Sequence, residues 1–192
     1  MDLEIEAKIK VDSHDAVRAR LKELGAVYLG KARETNRILD RKKTLRKAGC
    51  GLRVRQIEVL DGDPGSSSIT FKGSVQPSDL KVRSEINVSV DDAEAAARIF
   101  EALGFEPFIT FEKIRESWQL GDCRIELDEV PLLGTFVEIE GPSEPAVNKI
   151  KSELGFDAAK TITQSYVKML RTVRGSATYM FGVAPNSASD VP

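Results

Sequence analysis

Seven stretches of this chain alternate apolar residues with ionised ones at period two, and that pattern restricts the fold more than any other feature. EIEAK (4–8) sets Glu4, Glu6 and Lys8 against Ile5, Ala7 and Ile9. LRVR carries Arg53 and Arg55, ITFK carries Thr70 and Lys72, and VRSEINV carries Arg83 and Glu85. FEKIRESW adds Lys113 and Arg115, CRIELDEV adds Arg124, Glu126 and Asp128, and FVEIE adds Glu138 and Glu140. Period-two alternation is the mark of a β-strand with two unlike faces. A merely solvated face would mix in Thr, Ser and Gln, whereas these faces are almost wholly Arg, Lys, Glu and Asp.

Two arrangements accommodate such strands. An antiparallel sheet can lie in two layers with its charged face wet. Alternatively the sheet curls into a barrel whose lumen collects the charged faces. Enclosing an ion costs several kcal/mol unless it is paired or liganded, so a lumen of mixed charge needs occupants. Acids would hold divalent metal and cations a polyanion. Carboxylates without His or Cys suit Mg²⁺ or Mn²⁺, the hard cations that accompany phosphates. Arg offers forked donors to phosphate oxygens and Lys a compact charge.

The apolar faces require cover, and amphipathic segments supply it. SHDAVRARLKELG, DDAEAAARIFEALG and SEPAVNKIKSELG each end in Leu-Gly, which places Gly25, Gly104 and Gly155 at left-handed C-terminal caps. Ser143 is a candidate N-cap. TITQSYVKMLRTV is a fourth helical pattern, in which Tyr166 takes a packing role. Runs of strands broken by a few helices indicate an α+β fold. The domain is expected over 1–174. From 175 to 192 the chain turns rich in Gly, Ser, Ala and Pro, and reads as a mobile tail with Tyr179, Met180 and Phe181 as a short docking segment.

Other chemistries are excluded on composition. With 28 basic and 30 acidic residues the net charge is -2, which argues against nonspecific nucleic-acid binding. The two cysteines, Cys50 and Cys123, form no CxxC pair, so a disulfide framework and a zinc site are both excluded and a cytoplasmic setting is expected. The one histidine, His14, is expected to be exposed at a helix start, which removes Ser-His-Asp and His-metal sites. No signal peptide or membrane span is expected. GAVYLGKA (25–32) approaches a P-loop, but Ala32 stands where Ser or Thr is required and no helix follows.

EIEAK is an ExExK motif, and in order after it come ETNRILD (34–40), GLRVR (51–55), TFKG (70–73), RSE (83–85), EKIR (112–115), ELDEV (126–130), LGTFVEIE (133–140) and SYVKML (165–170). In this the chain resembles the CYTH superfamily, the triphosphate tunnel metalloenzymes. These include class IV adenylyl cyclases, thiamine triphosphatases and tripolyphosphatases. The resemblance implies an eight-stranded antiparallel β-tunnel with a charged lumen and a divalent metal, Mg²⁺ or Mn²⁺. By the same resemblance Glu4, Glu6 and Glu140 hold a first metal, while Asp128 and Glu138 belong to a second, catalytic one. Lys8, Arg53, Arg55, Lys72, Arg83, Lys113 and Arg115 take the phosphates, with Lys8 also catalytic. A homodimer through outer strands or helices is implied on the same ground. Three functions stay open at this point: hydrolysis of tripolyphosphate, ATP or thiamine triphosphate; cyclisation of ATP to cyclic AMP and pyrophosphate; and non-catalytic polyphosphate binding.

Overall fold

Alternation does produce a closed barrel. In the computed structural model, which describes residues 2–62, 65–174 and 178–182, eight long strands form it. They are β1 (Asp2–Val11), β2 (Val27–Asp40), β3 (Gly51–Gly62), β4 (Ser67–Lys72), β5 (Lys81–Val90), β6 (Glu106–Leu120), β7 (Cys123–Val130) and β8 (Gly134–Glu140). Neighbours run β2-β3-β4-β5-β1-β8-β7-β6, every pairing is antiparallel, and β6 pairs back onto β2 to close the ring. Closure removes the exposed edges of the eight-stranded sheet. GAVYLGKA enters β2 rather than a phosphate loop.

Three apolar groups surround the ring. Ile5, Ala7, Ile9, Ile125 and Ile139 face outward beneath α1 (Asp15–Glu23) and α4 (Glu144–Glu153), which contribute Val17, Leu21, Val147 and Ile150. Leu39, Leu52 and Val54 lie under Ala96 and Ala97 of α3 (Ala93–Ala102). Ser143 caps α4 by accepting from the Ala146 N–H at 3.3 Å. Gly25, Gly104 and Gly155 all adopt positive φ, +73°, +83° and +79°, where a Cβ would be strained.

The third group lies at one end of the lumen, where charge gives way to Ile38, Phe111 and Phe136. Helix α5 (Tyr166–Arg174) packs against this end through Tyr166 and Leu170, and Tyr166 meets Phe136 edge-on at 5.2 Å. A short turn of helix, α2 (Thr44–Lys47), sits near the same end; its backbone is tied to the buried Asp40 carboxylate, which accepts from the Leu45 N–H at 3.0 Å.

His14 departs from expectation. It is 8% exposed, and its Nε2 lies 3.0 Å from the Phe136 carbonyl oxygen, so it ties the α1 entry to β8. Within the expected tail, β9 (Thr178–Tyr179) runs parallel beside Thr110–Phe111 of β6, with Tyr179 buried. The mobile-tail reading otherwise falls on 175–177 and 183–192, outside the described residues. No helix among the described residues is long and apolar enough to cross a membrane.

Candidate active site in the tunnel

Register brings the charged faces together. Across β1, Glu4 pairs with Arg83 and Glu6 with Lys81 on one side. On the other side Glu6 pairs with Glu140 and Lys8 with Glu138. The lumen is therefore a set of adjoining ion clusters, each built from neighbouring strands.

In the first, Glu4 accepts from Lys72 Nζ at 2.6 Å and from Arg83 Nε at 2.7 Å, and Lys72 also reaches Glu85 at 2.6 Å. Lys81 Nζ lies 2.5 Å from Glu6 and 3.8 Å from Glu4. Burial would raise the Glu4 carboxyl, but Lys81, Lys72 and Arg83 outweigh it and hold the group well below the usual carboxylate range.

The second cluster centres on Lys8, which is 1% exposed. Its ammonium donates to the Gln164 carbonyl at 3.0 Å, pairs with Glu138 at 3.1 Å and lies 4.2 Å over the Tyr166 ring. Glu138 also pairs with Arg115. Burial opposes the Glu138 charge, yet Lys8, Arg115 and Lys113 hold its carboxyl well below the ordinary range.

Asp128 anchors the third. It is fully buried and accepts from Arg115 Nε at 2.7 Å and Nη2 at 2.6 Å, from Lys113 at 3.1 Å and from the Tyr166 hydroxyl at 3.0 Å. Beside it Glu34 pairs with Arg55 at 3.0 Å and Lys113 at 3.3 Å, while Arg55 Nε donates to Asn36 Oδ1 at 3.0 Å.

Within these clusters Arg53 and Glu140 have no ion-pair partner among the described residues. Burial first and the neighbouring Arg55 second push Arg53 down to about 9, and burial with Arg53 pushes Lys72 down to about 8. Arg53 Nε is buried without a hydrogen-bond partner among the described residues. Glu140 shows the opposite deficit: desolvation, then Glu4 and Glu6, push it up to about 7. A polyanion would relieve the first and a cation the second.

The donor set fits a hard divalent cation in charge and type: Glu4, Glu6 and Glu140 are neighbours on adjoining strands. Their side chains are not turned to one point, since no three acidic groups converge at metal-binding distance among the described residues. Glu4 and Glu6 face ammonium and guanidinium groups instead.

A cavity of about 710 Å³ runs along these clusters, lined by Glu4, Glu6, Lys8, Arg53, Arg55, Lys72, Arg83, Lys113, Arg115, Glu138 and Glu140. Its mouth, near α2 and α5, carries Leu45, Val167, Lys168 and Phe108, with the Arg46 guanidinium 4.2 Å over the Phe108 ring. At the opposite end a second opening shares Arg53, Arg55, Arg115 and Glu140 and adds Arg124 and Glu126. Eleven of the expected site residues thus line one cavity, and Asp128 lies behind Lys113 and Arg115, lining neither opening.

Sequence reasoning passed over Glu34, Asn36, Lys81 and the Tyr166 hydroxyl. Lys81 extends the Arg83, Glu85 alternation by one step, and Glu34 and Asn36 share a parity in ETNRILD, so period two could have found all three. Tyr166 carries no such signal because it reaches the lumen from a helix.

The CYTH domain model matches residues 2–166. A Methanocaldococcus jannaschii protein named "Putative adenylate cyclase" is 31% identical over 139 residues, covering 72% of this chain and 76% of that one. The PH1819 protein of Pyrococcus horikoshii superposes with a TM-score of 0.77 at 25% identity, covering 89% and 99% of the two chains. A Hippeastrum protein described as a "Putative adenylyl cyclase" that "reveals a dominant" triphosphatase activity superposes at 0.69 with 17% identity over 90% and 96%, a likeness of fold alone. With its ordered motifs, its closed eight-stranded tunnel and a model match over nearly the whole chain, this protein belongs to the CYTH family.

Proposed function

We propose that residues 1–174 form a divalent-metal-dependent triphosphatase of the cytoplasm, acting on tripolyphosphate or on an organic triphosphate such as ATP or thiamine triphosphate. The observation that carries this reading is unpaired charge of both signs in one cavity: Arg53, whose buried Nε has no hydrogen-bond partner, and Glu140, which has no ion-pair partner, among the described residues. A triphosphate bound with a metal ion answers both.

Glu4, Glu6 and Glu140 would hold a first Mg²⁺ or Mn²⁺, and Glu138 with Asp128 a second. When bound, such an ion supplies Lewis-acid contact to phosphate oxygens and lowers the pKa of a water. The chain's own part is positional and electrostatic. Lys8, Arg53, Arg55, Lys72, Arg83, Lys113 and Arg115 hold the phosphate oxygens and stabilise charge on the transferring phosphoryl group. Water attacks the terminal phosphorus, the bridging P–O bond breaks, and the remaining diphosphate leaves with that electron pair.

A second reading is cyclisation of ATP, in which the ribose 3′-hydroxyl attacks the α-phosphorus and pyrophosphate leaves. The half-apolar mouth supports it, because Phe108 under Arg46 offers a face for a base. The name of the archaeal relative points the same way.

Purified protein with Mg²⁺ or Mn²⁺, offered tripolyphosphate, ATP and thiamine triphosphate separately, separates these readings by product. Orthophosphate without cyclic AMP is the expected result. Cyclic AMP with pyrophosphate would make the protein a cyclase, and tight binding without any product would leave a polyphosphate-binding module.

A further inference from the structure

Lys81 belongs to none of the roles assigned so far, yet it occupies a distinctive position. It is 3% exposed and is the residue directly opposite Glu6 across the β1–β5 ladder. Its ammonium lies 2.5 Å from Glu6 Oε1 and 3.8 Å from Glu4 Oε2, and it faces the tunnel cavity. On the other flank of Glu6, across the β1–β8 ladder, stands Glu140, which has no ion-pair partner among the described residues.

We propose that Lys81 is the metal-free occupant of the carboxylate pair: its ammonium stands in for a divalent cation between Glu4 and Glu6 and must be displaced for the ion to bind. The proposal rests on the reading of Glu4, Glu6 and Glu140 as metal ligands, and it accounts for why these acids do not converge. Lys81 holds Glu6 at 2.5 Å, with Lys8 farther off at 3.7 Å, and stands 3.8 Å from Glu4, which Lys72 and Arg83 hold more closely, so both β1 acids are turned to cations rather than to a common point. An ammonium and a divalent ion cannot share the same oxygens, because like charges at this separation in a buried site repel strongly. Buried charge without a partner is costly, and Lys81 supplies one to Glu6.

Competition predicts tighter metal binding when the competitor is removed. Mn²⁺ binding in the absence of any phosphate, followed by the electron-spin resonance of free Mn²⁺, reads this without reference to activity. Lys81→Met is expected to bind Mn²⁺ at least about tenfold more tightly than the unmodified protein, equivalent to about 1.4 kcal/mol. Lys81→Arg keeps the charge and is expected to stay within about twofold of the unmodified protein, on the same scale. Should Lys81→Met be too unstable to titrate, the thermal midpoint replaces the titration, and Mn²⁺ is expected to raise it further in Lys81→Met than in the unmodified protein. Equal or weaker binding in Lys81→Met overturns the proposal, as does Lys81→Arg matching Lys81→Met. Glu140→Gln in the same titration tests the underlying assignment. If it weakens Mn²⁺ binding while Lys81→Met does not strengthen it, Lys81 alone has been misread. If it has no effect, the carboxylate assignment fails and takes the Lys81 proposal with it.

Discussion

Glu34→Gln isolates the electrostatic logic of the tunnel, because Glu34 belongs to neither the metal nor the phosphate set. The carboxylate is 3% exposed and pairs with Arg55 at 3.0 Å and Lys113 at 3.3 Å, with Arg115 at 3.9 Å. Losing the charge does not strand these cations equally. Lys113 keeps Asp128, and Arg115 keeps Asp128 and Glu138, but Arg55 retains only the neutral Asn36. The damage is therefore close to one broken buried pair, typically about 3–5 kcal/mol, and the partial exposure of Arg55 favours the lower end, about 3 kcal/mol. For a domain of this size each kcal/mol moves the midpoint by about 2–4 °C, so the thermal midpoint should fall by about 6–12 °C.

Two further signatures make that test specific. Burial would raise the Glu34 carboxyl, but Arg55, Lys113 and Arg115 hold it well below the carboxylate range when folded. A depressed carboxyl stabilises above its unfolded pKa and loses that contribution as pH falls toward the folded one. The gap between the two proteins should therefore be full at pH 7 and narrow progressively below about 4.5. Moreover, tripolyphosphate should restore the variant, since an anion at a hundred times its Kd adds about 2.7 kcal/mol, nearly the loss itself. Melts by circular dichroism from pH 3 to pH 7, with and without tripolyphosphate in a chelator, measure all three. A loss under about 1 kcal/mol at pH 7, or a gap that widens on acidification, would refute the view that lumen acids are counter-ions to the phosphate cations.

Other perturbations address the site directly. Glu140→Gln removes a carboxylate that its neighbours repel, so its melting midpoint should equal or exceed that of the unmodified protein. Metal-dependent turnover should drop at least about a hundredfold, and full activity would remove Glu140 from the metal set. Tyr166→Phe deletes the hydroxyl that donates to buried Asp128 and should cost about 1–2 kcal/mol in urea denaturation; an unchanged midpoint would show that this hydrogen bond adds nothing. Phe108→Ala should raise KM for ATP about threefold to tenfold while leaving tripolyphosphate untouched, as expected for loss of one aromatic contact at the mouth. Equal effects on both substrates would mean that the mouth does not touch the organic group.

What the chain determined by itself is the pairing of two faces on every strand. EIEAK, LRVR and FVEIE carry that information locally, because period two sends alternate side chains to opposite sides of a sheet whatever lies around it. The Leu-Gly endings were legible for the same reason: a left-handed cap is a property of one residue and its φ. Hence the α+β class, the charged lumen and most lining residues could be read in advance. Partnership could not. That Lys81 lies against Glu6 and near Glu4, that Asp128 is enclosed by Arg115, Lys113 and Tyr166, and that Glu140 has no ion-pair partner among the described residues all depend on strand register and ring closure. His14 shows the same limit, since its burial comes from a strand more than a hundred residues away. Periodicity states which side of a strand a residue takes, while the distances that decide which charges neutralise one another arise only when strands far apart in sequence are brought side by side.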